Sequence, residues 1–172
     1  MQKKVLIAGQ MAKLDLLLAK KLLERGFHVL YIQKTIELEE IKSLLEYPGF
    51  SFQNHDLCHS IFLKIDEIYD LSSFSIHEEE SLEEFTKRAF FGFHHLLSLA
   101  KRSKAKILHL AKIEEENFSP YFQGKKVIEA LCLEKQKEKM KAKIFWVPEQ
   151  ISQTLQSRKV PEELINSMCF FM

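Results

Sequence analysis

The sequence predicts an α/β fold: a doubly wound, parallel sheet of about six strands with helices on both faces. The first observation behind this prediction is that short apolar runs alternate with segments of helical periodicity along most of the chain. The second is that 172 residues, of which 46% are hydrophobic, suit one domain with a buried core. The formal net charge of +1 gives no broad basic field, so nucleic acid is not expected as a partner.

The first β-α-β unit lies at the start of the chain. The apolar run at 4–8 ends at Gly9 and predicts a buried parallel strand. A helix is predicted over 14–25, because apolar residues recur there at helical spacing before Gly26. A second strand is predicted over 27–32. The unit has about thirty residues, the size of a right-handed crossover.

The later elements repeat this alternation. In chain order they are a helix over 35–46, strands over 50–53 and within 65–71, a helix over 81–101, a strand over 106–110, a helix over 121–139 and a strand over 142–147. The spacing of Ser81 and Glu84 is that of a capping box. Residues 1–150 are thus predicted to form one domain. Residues 151–172 are predicted to form a C-terminal tail with one short helical stretch after Pro161 and no separate second domain.

Several classes of protein are not favoured. No stretch approaches the roughly 18 apolar residues that span a bilayer, so no membrane partner is expected. The N-terminus runs directly into a strand without a signal peptide. Cys58, Cys132 and Cys169 are far apart and odd in number, which argues against a disulfide framework or a zinc site and favours a reducing, cytoplasmic location. His94, His95 and His109 could suggest a metal site, but adjacent histidines point to different sides of a helix and do not chelate together, so no metal is expected.

Four segments in a fixed order carry a resemblance to a known family. They are residues 3–9 with 24–29 behind them, 47–56 with 65–71 behind them, 99–102, and 119–126 with 129–131 behind them. In this order they resemble the extended short-chain dehydrogenase/reductase family, within it the NAD-dependent epimerase/dehydratase group, and there the UDP-glucuronate decarboxylases. The resemblance covers residues 3–150 and implies a Rossmann-like fold, with NAD or NADP as the family's cofactor.

The resemblance implies a glycine-rich turn after the first strand, where the backbone approaches the cofactor's pyrophosphate. Gly9 matches the first glycine of this turn, whereas Ala12 and Asp15 stand where the next two are expected. Asp15 places a carboxylate near the expected phosphate position. Two like charges a few Å apart in a partly dry site repel by several kcal/mol. Lys13 could partly compensate, so NAD or NADP stays possible, but no bound cofactor is the favoured expectation.

Two further positions match the adenosine side of the family's site. Gln33 stands at the end of the second strand, where the family has an acid for the ribose, and Lys34 beside it could favour a 2′-phosphate. Asp56, after the third strand, matches an Asp that contacts the adenine. Ordinary strand-end and turn residues are the alternative interpretation of all three.

The family's catalytic groups have partial counterparts. Tyr121 and Lys125 match its Tyr–Lys pair and share one face of a helix at i, i+4 spacing. Glu114 matches a Glu that the decarboxylases use, although a solvated acidic loop explains it equally well. Lys112 stands where the family has a Ser or Thr, and a cation cannot reproduce the hydrogen bonding of that hydroxyl. The family's smaller substrate domain has no counterpart after residue 150.

The long helix predicted over 81–101 carries apolar residues on all sides. They are Phe85, Phe90, Phe91, Phe93, Leu96, Leu97 and Leu99. Burial against the sheet explains one face, and an oligomer interface would explain the other. Because the family commonly dimerises through this helix and the one after the fifth strand, we expect a homodimer through helices 81–101 and 121–139.

Two functional hypotheses follow. The first is a degenerate NAD(P)-binding-type domain related to nucleotide-sugar epimerases and dehydratases, acting as a non-catalytic binding or assembly module. The alternative is an NAD-dependent nucleotide-sugar epimerase, dehydratase or decarboxylase with a divergent cofactor loop. Cofactor binding separates the two hypotheses.

Overall fold

The computed structural model of the chain describes residues 2–10, 13–72, 81–112, 120–147 and 162–170. Its strands are Lys4–Ala8 (β1), His28–Gln33 (β2), Phe50–Asn54 (β3), Glu67–Asp70 (β4), Lys106–Lys112 (β5) and Ala142–Val147 (β6). They form one sheet in the order β3-β2-β1-β4-β5-β6, and every neighbouring pair is parallel. The chain runs outward from β1 to β3 and returns beside β1 at β4. The topological switch point therefore lies between β1 and β4.

Helices cover both faces of this sheet. They are Lys13–Glu24 (α1), Leu38–Ile41 (α2), Leu82–Thr86 (α3), Gly92–Ser103 (α4), Pro120–Lys137 (α5) and Glu162–Phe170 (α6). A 3₁₀ turn, Lys42–Leu44, extends α2, and a π-helical stretch, Lys87–Phe91, joins α3 to α4. In the part of the chain that the structure describes, no helix is both long and apolar enough to cross a membrane.

Two apolar cores flank the sheet because successive side chains of a strand point to opposite faces. On β1, Val5 and Ile7 join the core beneath α1, whereas Leu6 and Ala8 join the core beneath α4 and α5. A β-strand buried on both faces reads as a continuous apolar run, as residues 4–8 do. The predicted doubly wound sheet with helices on both faces is thus confirmed.

The long helix predicted over 81–101 differs from the prediction in its interior. It begins with the capping box of Ser81 and Glu84, but a π-helical stretch separates α3 from α4. In a regular α-helix, residues eight positions apart point about 80° away from each other. The wider π-helical turns remove that offset, and both Phe85 and Phe93 are buried in the same core.

The predicted helix over 35–46 is also shorter than expected. Regular α-helix is confined to α2, and Glu37, which precedes it, is extended and makes no side-chain cap hydrogen bond. Without a capping side chain the first N–H groups of a helix lose an intramolecular partner. This explains why only one α-helical turn forms before the 3₁₀ turn.

Helix α6 lies within the segment predicted as a tail. It packs against α1, and Ile165 and Met168 are buried in the core on that face. The same core contains Tyr69 of β4, whose hydroxyl is buried with no hydrogen-bond partner among the described residues. Burial raises the pKa of this phenol far above its usual value, so Tyr69 stays neutral.

Candidate functional site

A cavity of about 550 Å³ opens at the carboxyl ends of β1 to β4. Its lining consists of Gly9 and Gln10 after β1, Gln33 and Lys34 at the end of β2, residues 55–58 after β3, Ser72 after β4, and Glu84, Lys87 and Arg88 above them. Ligands of doubly wound sheets bind outside the carboxyl ends of the strands near the switch point. The size also lies in the range of small-molecule sites.

Three residues predicted for cofactor binding line this cavity together, namely Gly9, Gln33 and Asp56. They come from the ends of three adjacent strands, which parallel topology brings to one edge of the sheet. The fourth predicted residue, Ala12, lies outside the described residues.

Of the residues predicted for catalysis, only Lys125 has a described side chain. Lys125 is buried on α5 and does not line the cavity. Tyr121 lies one helical turn earlier on α5, but its side chain falls outside the described part, as does that of Lys112 at the end of β5. Glu114 also lies outside the described residues.

Asp15 follows the connection between β1 and α1. It lies in the first turn of α1 and its side chain is 2% exposed. Its Oδ2 accepts hydrogen bonds from the Gln10 N–H at 2.6 Å and from the Tyr31 hydroxyl at 3.0 Å. The N-terminus of a helix favours an anion. In this chain the protein's own carboxyl group occupies that position.

Gly9 is held closely by the same two side chains. A Cβ atom on Gly9 would lie 2.5 Å from Oδ2 of Asp15 and 2.6 Å from Cζ of Tyr31, and closer still to the Tyr31 hydroxyl oxygen. Only glycine therefore fits this position. The close contact is made with the protein's own side chains.

The hydrogen bonds continue along the floor of the cavity to β4. The side-chain amide of Gln10 donates to the carbonyl oxygen of Ser72. The backbone N–H and hydroxyl of Ser72 donate to Oδ1 of Asp70 at 3.1 and 2.6 Å. The Asp15 turn and the end of β4 are thus joined by one network.

Asp70 and His109 form a buried pair at the end of this network. Their side chains are paired across β4 and β5, and Nδ1 of His109 lies 2.8 Å from Oδ2 of Asp70. Asp70 is 0% and His109 3% exposed. Burial opposes ionisation of Asp70, but the hydrogen bonds from His109 and Ser72 outweigh it and hold the pKa of its carboxyl below the usual range.

The sequence prediction missed the pairing of Asp70 with His109. A signal was present, because each is a polar residue near the carboxyl end of an otherwise apolar strand, and neighbouring parallel strands bring such positions together. Their surroundings are apolar: the ring of Phe93 lies 5.0 Å from that of His109. On α5, burial and the negative charge of Asp70 raise the pKa of the Cys132 thiol to about 12.

The rim of the cavity carries paired charges. The Lys34 ammonium lies 3.8 Å from Oδ2 of Asp56, and the Lys87 ammonium lies 2.6 Å from Oε1 of Glu83. The hydrogen bond from the backbone N–H of Cys58 holds the pKa of Asp56 below its usual value, although burial acts against it. Among the described residues, no three His, Cys, Asp or Glu side chains are grouped so that they could hold a metal ion.

Comparison with known proteins finds solved structures that are similar to this chain. No protein-family model matches the chain, and no curated protein matches it. ElxO with NADP bound has a similar structure, with a TM-score of 0.69, 17% identity, and coverage of 98% of this chain and 84% of ElxO. WbmH of Bordetella bronchiseptica in complex with NAD+ gives a TM-score of 0.67, 17% identity, and coverage of 86% of this chain.

A UDP-galactose 4-epimerase is also similar, with a TM-score of 0.66, 12% identity and coverage of 84% of this chain. The chain spans 56% of the length of WbmH and 55% of that of the epimerase. A putative short-chain dehydrogenase/reductase family oxidoreductase from Aeromonas hydrophila adds a TM-score of 0.69 at 12% identity over 98% of this chain and 90% of its own. The chain therefore has the Rossmann-like fold of short-chain dehydrogenase/reductase and epimerase proteins.

Proposed function

We propose that this chain is a non-catalytic binding or assembly module built on a degenerate NAD(P)-binding-type domain related to nucleotide-sugar epimerases and dehydratases. The observation that carries the proposal is the position of Asp15, which is buried in the turn where the fold offers backbone N–H groups to a pyrophosphate. The resemblance of four ordered sequence segments supports the relationship to that group.

The residues present do not fit the pyrophosphate of NAD or NADP. The N–H of Gln10 already donates to Asp15, so it is not offered to a phosphate. A phosphate oxygen about 4 Å from the Asp15 carboxylate would be repelled by about 4 kcal/mol at the effective dielectric constant of a partly solvated site. Asp15 is also buried and accepts a hydrogen bond from Tyr31, so displacing it would break this contact.

The counterparts of the catalytic residues give catalysis little support. Lys125 and Tyr121 keep the helical spacing of an acid/base pair, but Lys125 does not line the cavity. In the sequence, Lys112 replaces the hydroxyl residue that completes the family's set. A hydroxyl from elsewhere would be needed to complete the family's acid/base set beside Tyr121.

Titration calorimetry with NAD, NADH, NADP and UDP-sugars tests the proposal. We expect no saturable binding below about 100 μM, which corresponds to roughly 5.5 kcal/mol. Saturable NAD or NADP binding below that concentration would overturn the proposal and support the alternative, an NAD-dependent epimerase-, dehydratase- or decarboxylase-like enzyme. A thermal-shift series with the same ligands provides an independent readout of binding to the folded state.

Assembly through a homodimer is part of this proposal. Most apolar residues of the long helix are buried within one chain, so they do not support an interface. The half-exposed apolar side chains that remain on α3, the π-helical stretch and α5 are Leu82, Phe91, Val127 and Leu133. Since α3 and α5 pack against each other, these residues support an apolar interface with a second copy.

Light scattering at high protein concentration is expected to give twice the chain mass of 20.2 kDa. The double variant Val127→Glu/Leu133→Glu is expected to halve that mass without changing the circular dichroism spectrum, because both side chains are exposed in the single chain. Phe62→Ser is the matched control, since Phe62 is 80% exposed on a different part of the molecule. A monomeric parent protein would show that the dimer prediction is wrong.

A further inference from the structure

We propose that a cavity between the ends of α4 and α5 binds a small polyphosphate anion, a ligand in which two or more phosphate groups are linked. The cavity has a volume of about 420 Å³ and lies beside the amino ends of β5 and β6. All strands are parallel, so this is the edge of the sheet opposite to the cavity described above. The inference therefore goes beyond the proposed function and does not depend on it.

The wall of this cavity carries an excess of positive charge. Its described charged residues are Lys101, Lys104, Lys139, Lys141 and Glu138. The carboxylate of Glu138 already has a partner outside the wall, because the Lys135 ammonium lies 2.7 Å from its Oε1. Within the described part of the chain, no carboxylate forms an ion pair with any of the four wall lysines. Four like charges around one cavity favour an anion that contacts several of them at once.

Helix dipoles do not account for all of these lysines. A cation in the last turn of a helix offsets the negative end of its dipole. The last turns of both helices already contain basic residues, Lys101 and Arg102 in α4 and Lys135 and Lys137 in α5. Lys104 and Lys139 come after these turns, and Lys141 stands immediately before β6. The last three lysines are thus additional to the charges that the dipoles favour.

The backbone beside the cavity gives a second, independent observation. Helices α4 and α5 both end in a Schellman motif, in which the N–H groups of Ala105 and Met140 donate to carbonyl oxygens five residues earlier, at 2.9 and 3.1 Å. A lysine takes the left-handed position of each motif, with φ of 55° at Lys104 and 64° at Lys139. Glycine is the usual residue there, because a side chain is strained in this conformation. Strain of this kind concentrates at binding sites.

The wall residues also define the class of ligand. A lysine ammonium is a point charge without the planar fork of arginine, and it binds phosphate oxygens in many orientations. The described uncharged side chains of the wall, those of Ala100, Ala105 and Met140, donate no hydrogen bonds that would select a base or a sugar. The volume lies in the range of small-molecule sites. Recognition in this cavity therefore rests on the charge of a compact anion.

Calorimetric titration of the full chain with inorganic triphosphate, pyrophosphate and phosphate tests this inference. We expect saturable binding of triphosphate below about 1 mM, and binding of phosphate that is weaker by about tenfold or more. Pyrophosphate is expected to lie between the two, because it contacts fewer lysines than triphosphate does. Added sodium chloride is expected to weaken all three interactions, since salt screens exposed charges.

The double variant Lys104→Gly/Lys139→Gly separates binding from stability. It removes two positive charges and places glycine at both left-handed positions. We therefore expect triphosphate binding to weaken by about tenfold or more, while the melting temperature stays the same or rises. Lys20→Gln/Lys64→Gln is the matched control, because it removes two exposed lysines that do not line this cavity, and it is expected to preserve binding.

A second wall variant, Lys101→Gln/Lys141→Gln, is expected to weaken triphosphate binding to a similar extent and keeps the test decisive if the glycine variant fails to fold. The inference is overturned if triphosphate does not bind below about 1 mM, or if the wall variants bind it as well as the control does. Tighter binding of decathymidylate than of triphosphate would assign the cavity to nucleic acid and would also overturn the inference. None of these results alters the proposed function, which NAD titration tests separately.

Discussion

Replacing Asp70 with alanine is expected to lower the free energy of unfolding by about 3–5 kcal/mol, because it leaves several buried hydrogen-bond donors unsatisfied at about 1–3 kcal/mol each. Asp70 is fully buried and accepts three hydrogen bonds, from His109 and from the N–H and hydroxyl of Ser72. In Asp70→Ala these three donors are left in a site that water scarcely reaches. Leaving these buried donors unpaired costs more free energy than is gained by removing the desolvated carboxylate.

Urea denaturation of the parent protein and of three variants measures this effect. Ser72→Ala removes a single hydroxyl donor and is expected to cost about 1–1.5 kcal/mol. Glu39→Ala removes the carboxylate of an exposed ion pair with Lys42 and is expected to change stability by less than about 0.5 kcal/mol. A loss below about 1 kcal/mol in Asp70→Ala would contradict the assignment of a fully satisfied buried pair.

The same pair predicts an acid-dependent loss of stability. Because hydrogen bonds hold the pKa of Asp70 below its unfolded value of 3.8, folding favours the ionised carboxylate. Its contribution is therefore complete above about pH 5 and is lost as the pH falls through 3.8 and through the lower folded pKa. The stability difference between the parent protein and Asp70→Ala should accordingly shrink below pH 4, which denaturation at pH 3 and pH 7 would reveal.

Local sequence patterns were sufficient to predict the sheet. Strands β1, β2 and β5 are apolar runs bounded by glycine or charged residues. Because a parallel strand is buried on both faces, its sequence is apolar along most of its length and does not alternate. The crossover size of each β-α-β unit then restricts the topology. The π-helical stretch at Lys87–Phe91 could not be predicted in this way, because it depends on the packing of two phenylalanines against the sheet.

The sequence predicted the site residues that stand at the end of a single strand, but it did not predict contacts that depend on two elements. Gly9, Gln33 and Asp56 were predicted from the resemblance to the family, which matches each of them to the end of a strand, and they do line one cavity. Asp15 was recognised as a residue that replaces an expected glycine of the phosphate-binding turn. Its contact with Tyr31 could not be predicted, because it depends on how far this side chain of β2 extends beneath the turn. The pairing of Asp70 with His109 likewise depends on the β4–β5 register across 39 residues, which no local pattern contains.

Asp15 and Gly9 together determine what the turn after β1 can bind. In a turn that cradles a phosphate, glycine permits close approach of the ligand. Here the space above Gly9 is taken by the Tyr31 hydroxyl and the Asp15 carboxylate. A side chain at position 9 would clash, as it would in a phosphate-binding turn, but here the clash is with the protein's own Tyr31 and Asp15. The presence of Gly9 alone therefore does not indicate a bound nucleotide.

Gly9→Ala is therefore expected to destabilise the fold even in the absence of any ligand, by about 3–5 kcal/mol. Overpacking costs about 1–3 kcal/mol, and the added methyl group must also displace Tyr31 from Asp15, a hydrogen bond to a charged group worth about 1.5–3 kcal/mol. Tyr31 cannot yield easily, because its ring is fully buried in the core beneath α1. Thermal or urea denaturation of the ligand-free protein measures the loss.

Two comparisons isolate the steric cause of the Gly9→Ala effect. At Gly26 a Cβ atom would have its nearest neighbour at 4.0 Å, so Gly26→Ala should cost only about 1 kcal/mol, from its positive φ of 80°. Tyr31→Phe removes the oxygen nearest to the added methyl group, so the double variant Gly9→Ala/Tyr31→Phe should cost at least 0.5 kcal/mol less than the sum of the two single variants. Equal losses of stability in Gly9→Ala and Gly26→Ala would contradict a turn closed by Tyr31, as would strict additivity of Gly9→Ala with Tyr31→Phe. The space above Gly9 would then be available to a phosphate.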